Sequence, residues 1–299
     1  MPESQPQDAP LDQRWLADTI ERALNEDLGG NPGRDVTTQA TIAEDAVVTG
    51  ELVARASGVL AGIDALDETL RQVALRWELP VPQVTVSVKD GDSVKPGDVI
   101  AEFAGLGCVI LTAERTLLNL MSHASGIATH TRMWADALAG TATRVLDTRK
   151  TTPTLRELEK YAVRCGGGVN KRMGLFDVAL IKDNHVIAVG GVAESIMAVR
   201  AKFPGVAVQV EVERLAQAHE AIDAGARFLM LDNMSDSAMI EVVREVRARE
   251  GEVGPVALEA TGGLTLARAA AVAATGVDYL SVGALTHSSP ALDLALDLH

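Results

Sequence analysis

The sequence has few cysteines, few lysines and no long apolar run, and these shortages narrow what the protein can be. Its two cysteines, Cys108 and Cys165, are far apart, and no C-x-x-C pair occurs. No run approaches the roughly 20 apolar residues that a membrane-spanning helix needs. The first ten residues are polar and rich in proline, without the apolar core of a signal peptide. We therefore expect two free thiols in a cytoplasmic protein.

The chain is acidic overall, and this excludes some classes of partner. Its formal net charge is −14 and its sequence pI is about 4.9. Nucleic acids and anionic membrane surfaces attract basic proteins, so we expect neither as a partner. With 299 residues, 47% of them hydrophobic, the chain can bury one large α/β core or two smaller ones.

Against that acidic background, the cations are concentrated in one stretch. Nine of the 27 Lys and Arg residues lie between Arg144 and His185, together with only five acids. Three of the nine, Arg149, Lys150 and Lys182, closely follow apolar runs, at positions where a strand would end. The pattern predicts a pocket for a polyanionic ligand, and the alternative is an ordinary solvated basic face.

The second half of the chain alternates short apolar segments with helical patterns. Six segments have a strand-like composition: 144–147, 178–182, 206–213, 228–232, 256–260 and 279–283. Strands and helices that alternate at this spacing are typical of a parallel sheet. Six strands are fewer than the eight of a closed barrel, so we expect an open, incomplete TIM-like α/β barrel. Its chemistry should lie at the carboxyl ends of the strands.

The ends of the predicted strands carry charged residues. Alternation within 206–213 places Glu211 on the same face as Gln209, opposite three valines. An interior carboxylate is costly unless it is paired or binds a metal, and structural ion pairs inside the barrel are the alternative interpretation. The charged set comprises Asp147, Arg149, Lys150, Lys182, Asp183, Glu211, Glu213, Asp232 and Glu259.

Two glycine-containing loops follow the last two predicted strands, T-G-G-L at 261–264 and V-G-A-L-T at 282–286. Backbone amides in such loops bind phosphate groups after the late strands of many barrels. The six histidines show no zinc-ligand spacing such as H-E-x-x-H. Zinc is therefore not expected, and if a metal is bound we expect it to be Mg²⁺, held by carboxylates and phosphate oxygens.

The first third of the chain has a different pattern. A helical pattern over about 12–28 ends at Gly29, and β-like runs follow near 47–56, 84–88 and 99–103. The loop K-D-G-D-S-V-K-P-G-D at 89–98 is similar to a segment of biotinyl and lipoyl carrier domains. No lysine stands at a hairpin tip between symmetric halves, so we do not expect a carrier function.

Several longer motifs resemble one enzyme family over almost the whole chain after its first residues. The most specific are D-T-R-K-T-T-P at 147–153, R-C-G-G-G-V-N-K-R-M-G-L-F-D at 164–177 and L-I-K-D-N-H at 180–185. L-T-A-E-R-T, L-D-N, E-A-T-G-G-L and D-Y-L-S-V-G-A-L-T-H add to them. Together they are similar to the quinolinate phosphoribosyltransferases. The usual phosphoribosyl-pyrophosphate signature of two adjacent acids after a strand is absent here, as it is in that family.

The resemblance implies both an activity and an architecture. The activity is transfer of phosphoribosyl from phosphoribosyl pyrophosphate (PRPP) to quinolinate with decarboxylation, which gives nicotinate mononucleotide, pyrophosphate and CO₂ in NAD biosynthesis. The architecture is an N-terminal α/β sandwich domain over 12–114 and an open α/β barrel over 115–287, with 288–299 packing back on the sandwich. Residues 1–11 are expected to be a disordered tail because they are polar and rich in proline. A homodimer, or a higher oligomer, with active sites shared between chains is also implied.

The resemblance implies a role for each cationic residue that matches the family motifs. Arg149, Arg172 and Lys182 would bind the carboxylates of quinolinate, and Arg115 would reach in from the neighbouring chain. Lys150 would contact PRPP and its leaving pyrophosphate.

The same resemblance places acids and phosphate-binding groups. Glu211 and Asp232 would hold Mg²⁺ and the ribose hydroxyls and stabilise positive charge on the anomeric carbon, so that they, Lys150 and Lys182 are the catalytic residues. The remaining implied substrate-binding residues are Thr148, Lys171, Thr261, Gly262, Gly263, Gly283 and His287.

One residue departs from the family pattern. The family motif N-H-R reads N-K-R here, so Lys171, a flexible and permanently charged donor, replaces a planar, titratable histidine. A related phosphoribosyltransferase that uses another aromatic acid or a molybdenum-linked substrate is one alternative. A class I aldolase-like barrel with a Schiff base on Lys182 and a non-catalytic binding protein are the others.

Overall fold

The computed structural model of the protein describes residues 9–299, and these residues form two compact units. The sheet unit contains 9–132, 152–167 and 288–299, and the barrel unit contains 133–151 and 168–287. The helices are α1 Gln13–Leu28, α2 Val36–Thr41, α3 Ala65–Arg76, α4 Gly107–Ala137, α5 Arg156–Cys165, α6 Asp183–Val189, α7 Val192–Lys202, α8 Leu215–Asp223, α9 Asp236–Val253, α10 Ala269–Ala273 and α11 Ala284–His287, with a 3₁₀ turn at Leu266–Arg268. The strands are β1 Val47–Ala54, β2 Gly58–Val59, β3 Gln83–Val86, β4 Ser93–Val94, β5 Val99–Leu106, β6 Arg144–Leu146, β7 Val178–Ile181, β8 Ala207–Val212, β9 Phe228–Asp232, β10 Ala257–Thr261, β11 Tyr279–Ser281 and β12 Leu294–Leu298.

The sheet unit is built on an antiparallel sheet of order β12-β1-β5-β3. The last strand, β12, pairs with β1 in the register Leu52↔Leu296, so the end of the chain returns to this sheet. Helix α1 begins where the Asp12 carboxylate accepts hydrogen bonds from two backbone amides, and it ends at Gly29 with φ 74°.

The barrel unit is a parallel sheet of order β6-β11-β10-β9-β8-β7 with helices between its strands. All six predicted strands are present, and within the described residues β6 and β7 remain the two outer strands of an open sheet. The predicted fold class, an N-terminal α/β domain with an open α/β barrel, is thereby confirmed. In β8, Val210 and Val212 are fully buried, whereas Glu211 on the opposite face is only partly buried.

The inside of the barrel unit is packed with apolar side chains. Leu146, Val169, Phe228, Met230 and Tyr279 form one buried cluster, in which the Phe228 and Tyr279 ring centroids are 6.0 Å apart. Such packing leaves little room for water between the strands. Space for a ligand is therefore expected at the ends of the strands.

The first residues and the helices can be compared with the predicted tail, the predicted domain boundary and the expected lack of a membrane-spanning helix. Residues 1–8 of the predicted tail lie outside the described residues, and Leu11, at its last position, is buried. Helix α4 runs without a break through the predicted domain boundary at 114. Among residues 9–299, no helix combines the length and the apolar character needed to cross a bilayer.

Candidate active site

A polar cavity of about 700 Å³ lies at the carboxyl ends of the strands of the barrel unit. The predicted site residues that line it are Thr148, Arg149, Lys150, Lys171, Arg172, Lys182, Glu211, Asp232, Thr261, Gly262 and Gly263. Four of them lie at or next to the carboxyl end of a strand: Lys182 follows β7, Glu211 is the last residue but one of β8, and Asp232 and Thr261 end β9 and β10. Because these strands are parallel neighbours, their carboxyl ends bring the four side chains to one rim.

A second cavity of similar volume lies among the residues that begin the same strands. It is lined by Arg200, Arg227, Gln209 and apolar side chains, and no carboxylate contributes to it. The first cavity combines cations, carboxylates and glycine loops, and it is therefore the candidate active site.

Two guanidinium groups supply cationic donors to this pocket. Arg172 is 8% exposed, and one of its nitrogens donates to the Val178 carbonyl at 2.9 Å. Burial lowers the pKa of Arg172, the nearby Arg149 guanidinium lowers it further, and Asp177 opposes the shift. The buried Nε of Arg149 has no partner among the described residues. A buried guanidinium donor without a partner, close to a second guanidinium, favours the binding of an anion.

Lys182 and Glu211 form a loose ion pair at the rim. The Nζ of Lys182 lies 3.8 Å from a Glu211 carboxylate oxygen, and the Lys182 side chain is 52% exposed. Burial raises the pKa of Glu211; the Lys182 ammonium opposes this, whereas the Asp232 and Asp183 carboxylates add to it. Several carboxylates thus lie close enough to repel one another, an arrangement that a cation relieves.

Lys171 is held by a tight, buried ion pair. Its Nζ lies 2.6 and 2.7 Å from the two carboxylate oxygens of Glu259, which is completely buried. The same ammonium is 3.1 Å from the sulfur of Met230. Structural ion pairs inside the barrel were the alternative interpretation of the strand-end charges, and this pair is one.

A second buried carboxylate, Asp147, ties two cationic segments together. It accepts a hydrogen bond from the Asn170 side chain at 2.7 Å and another from the Lys171 backbone amide at 2.8 Å. The residue is fully buried, so each of these bonds offsets the cost of removing the carboxylate from water. The bonds fix the segments that lead to Arg149 and Arg172.

The loop after β10 contains two glycines whose backbone has positive φ. Gly262 has φ 88°, and a Cβ there would collide with the side chain of Asn233. Asn233 itself has φ 51°, and its side-chain Nδ2 donates to the Asp232 carboxylate at 2.9 Å. Gly263, with φ 59°, has no neighbouring atom within 4 Å of an added Cβ, which leaves its backbone accessible.

Three predicted site residues do not line the cavity themselves. Gly283 and His287 nevertheless lie beside Lys150, because a Cβ at Gly283 would be 2.9 Å from Lys150 Cδ and 3.3 Å from His287 Nε2. Arg115 belongs to the sheet unit, on α4, where its side chain is 66% exposed and its charge is 3.8 Å from Glu114.

Six lining residues were not predicted as site residues, namely Leu180, Asp183, Met230, Asn233, Glu259 and Ser281. Two of them, Asp183 and Glu259, belong to the predicted set of strand-end charges. Ser281 is 7% exposed, and its hydroxyl has no hydrogen-bond partner in the described part of the chain. Asn233 and Ser281 both fall within motifs that resemble the family, L-D-N and D-Y-L-S-V-G, so those motifs were the available signal.

Comparison with known proteins identifies a family for both parts of the chain. Residues 35–125 match the N-terminal domain of quinolinate phosphoribosyl transferase, and residues 127–297 match its C-terminal domain. The chain is 47% identical over 281 residues to the nicotinate-nucleotide pyrophosphorylase [carboxylating] of Mycobacterium leprae. The aligned region covers 94% of this chain and 96% of that relative. The chain is 39% identical to the probable nicotinate-nucleotide pyrophosphorylase [carboxylating] of Bacillus subtilis, over 91% of this chain and 90% of that one.

A solved structure gives the same result. The nicotinate-nucleotide pyrophosphorylase from Francisella tularensis superposes with a TM-score of 0.87 and 36% identity, over 99% of this chain and 98% of that one. The matching family models together span most of the chain and the whole of the candidate active site. The chain therefore belongs to the quinolinate phosphoribosyl transferase family.

Proposed function

We propose that the protein transfers the phosphoribosyl group of PRPP to quinolinate with loss of CO₂, giving nicotinate mononucleotide and pyrophosphate for NAD biosynthesis. The observation that carries the proposal is one rim on which cations, two strand-end carboxylates and glycine loops line the same pocket. The named relatives are nicotinate-nucleotide pyrophosphorylases. An aldolase-like or non-catalytic role finds no comparable support.

Quinolinate presents two carboxylates, and the pocket offers three cations for them. Arg149 has an unused buried donor, Arg172 lies beside it, and Lys182 is half-exposed at the rim. Guanidinium groups bind carboxylates with two parallel hydrogen bonds, so this pair can fix the plane of the pyridine ring. A fixed ring presents its nitrogen to the anomeric carbon of PRPP.

The phosphates of PRPP would be bound by the glycine loops and by Lys150. Gly262 and Gly263 offer backbone amides next to the Thr261 hydroxyl, and Gly283 leaves room for the Lys150 and His287 side chains. The Thr148 hydroxyl accepts from the Lys150 backbone amide at 3.1 Å, which orients the turn that carries Lys150. Lys150 is placed to neutralise the departing pyrophosphate as its bond to the anomeric carbon breaks.

Glu211 and Asp232 are the residues that would hold Mg²⁺. Residues 9–299 contain no group of three or more His, Cys, Asp or Glu side chains arranged for a metal. Two neighbouring carboxylates fit Mg²⁺, since this ion is commonly bound by one or two carboxylates together with substrate phosphates. The bound ion would neutralise phosphate charge. The carboxylates themselves stabilise positive charge on the ribosyl carbon as the new bond forms.

We further propose a homodimer, or a higher oligomer that contains it, in which Arg115 completes the pocket of the neighbouring chain. The exposed Arg115 side chain supports this, as do large apolar side chains that remain exposed in the barrel unit. Leu175, Phe176 and Ile187 are 72%, 83% and 77% exposed. Exposed apolar side chains of this size mark association surfaces. Two unpaired cysteines support a cytoplasmic location.

Acceptor selection tests the proposed substrate. Purified protein, Mg²⁺ and PRPP would be incubated with quinolinate, nicotinate or another aromatic dicarboxylate, and pyrophosphate release would be measured. We expect release with quinolinate to exceed that with each other acid by at least about a hundredfold, since an acid that lacks a carboxylate leaves buried donors unpaired. Preference for another acid would support the alternative that Lys171 marks a changed substrate.

A further inference from the structure

Lys171 is the most deeply buried of the five cations that line the pocket. It is 5% exposed, and both carboxylate oxygens of Glu259 lie within 2.7 Å of its ammonium. The Phe228 ring centroid lies 5.8 Å from the same nitrogen. Lys171 and Glu259 both line the pocket, so a ligand at the rim meets them as a pair.

The pair differs in kind from the ion pair of Lys182 and Glu211. The Nζ of Lys182 is 3.8 Å from its carboxylate partner and its side chain is 52% exposed, whereas the Lys171 side chain is 7% exposed. A buried carboxylate that loses its cation is left with an uncompensated charge at high cost. The charge of Lys171 is therefore committed to Glu259, whereas that of Lys182 is available to a ligand.

The backbone of Lys171 is fixed as firmly as its side chain. Its amide donates to Asp147, which also holds the Asn170 side chain. These bonds leave Arg172, the next residue, at the pocket wall beside Arg149. Lys171 thus connects the buried Glu259 carboxylate to the segment that places the Arg172 guanidinium in the pocket.

We propose that Lys171 is a positioning residue that acts through Glu259 and does not itself bind the substrate carboxylate. Its ammonium cancels the negative charge of Glu259, which would otherwise repel a dicarboxylic acid from the pocket. The inference rests on the proposed function, because it assumes that an aromatic dicarboxylate binds here. It explains how a lysine can occupy this position without adding a net charge to the acid's site.

A double-mutant cycle separates this role from direct binding. Quinolinate affinity would be measured by calorimetry on the full chain for Lys171→Met, Glu259→Gln and the double variant. We expect Lys171→Met to weaken binding at least about tenfold, since it leaves Glu259 uncompensated. Glu259→Gln should bind as well as the original protein or better, and the double variant should return to within about threefold of it.

A matched control uses the other lysine of the pocket. Lys182→Met should also weaken quinolinate binding, but Lys182→Met with Glu211→Gln should not recover, because Lys182 is proposed to touch the acid. The KM for PRPP should stay within about twofold in the Lys171 and Glu259 variants, a split that a general loss of structure would not give. Thermal melting would verify that each variant folds.

The outcomes separate the two proposals. Equal loss of quinolinate affinity in Lys171→Met and in the double variant would show direct binding and overturn the inference. If Lys171→Met does not fold, the double variant decides alone, because it buries no unpaired charge: binding within about threefold supports positioning, and a tenfold loss overturns it. Failure of the original protein to bind quinolinate would instead overturn the proposed function.

Discussion

Glu211 shows how neighbouring groups shift the pKa of one carboxylate of the proposed active site. Burial raises its pKa, and the Asp232 and Asp183 carboxylates raise it further against the opposing charge of Lys182. A raised pKa means that Glu211 gains its proton at a higher pH than an ordinary glutamate. Its carboxylate form, which the proposed chemistry needs, is therefore lost as pH falls through that raised value.

Asp183→Asn should move the acid limb of activity. Removal of one repelling carboxylate lowers the pKa of Glu211, so the acid limb of kcat/KM against pH should shift to lower pH. Glu213→Gln is the control, because Glu213 is exposed, lies outside the pocket and is not one of the groups to which the pKa shift of Glu211 is attributed. An unchanged limb in Asp183→Asn, or an equal shift in Glu213→Gln, would show that another group controls activity in acid.

The strands of the barrel unit and the loops that follow them position the site. The positions of these strands could be predicted from the sequence, whereas the side-chain contacts between distant strands could not. Short apolar segments indicated β6 to β11 because buried parallel strands need continuous apolar sequence. The pairing of Lys171 with Glu259 could not be predicted, since the residues are 88 positions apart and meet only through the barrel. Ser281 was missed although it lies in the family-like motif D-Y-L-S-V-G, because nothing in the motif marks the serine itself for a particular role.

The loop after β10 gives the clearest test of an element. Gly262→Ala would place a side chain on backbone with φ 88°, and its Cβ would collide with the side chain of Asn233. Asn233 is the residue that donates a hydrogen bond to the Asp232 carboxylate. We expect a loss of about 1–3 kcal/mol in the free energy of unfolding, together with weaker PRPP binding. Gly205→Ala is the control, since its added Cβ meets nothing within 4 Å and its φ is not positive. Equal melting temperatures for the two variants would contradict this account of the loop.

Assembly is the property of the whole molecule on which the proposed active site depends. Arg115→Ala and Lys150→Ala should each be inactive as homodimers, because one lacks the proposed donated cation and the other lacks the pyrophosphate contact. Mixed dimers should regain activity, since one of their two pockets keeps both residues. Light scattering and differential tags would establish that mixed dimers form. Mixed dimers that stay inert would show that Arg115 serves its own chain or serves no pocket.

The fate of the carboxylate next to the ring nitrogen tests the central claim most directly. Quinolinate carrying ¹³C in that carboxylate would be incubated with PRPP, Mg²⁺ and the protein, and mass spectrometry would follow the nucleotide and the released CO₂. The account predicts unlabelled nicotinate mononucleotide, with labelled CO₂ and pyrophosphate formed in equal amounts and only when PRPP is present. A labelled dicarboxylate nucleotide as the final product, or no nucleotide at all, would contradict it.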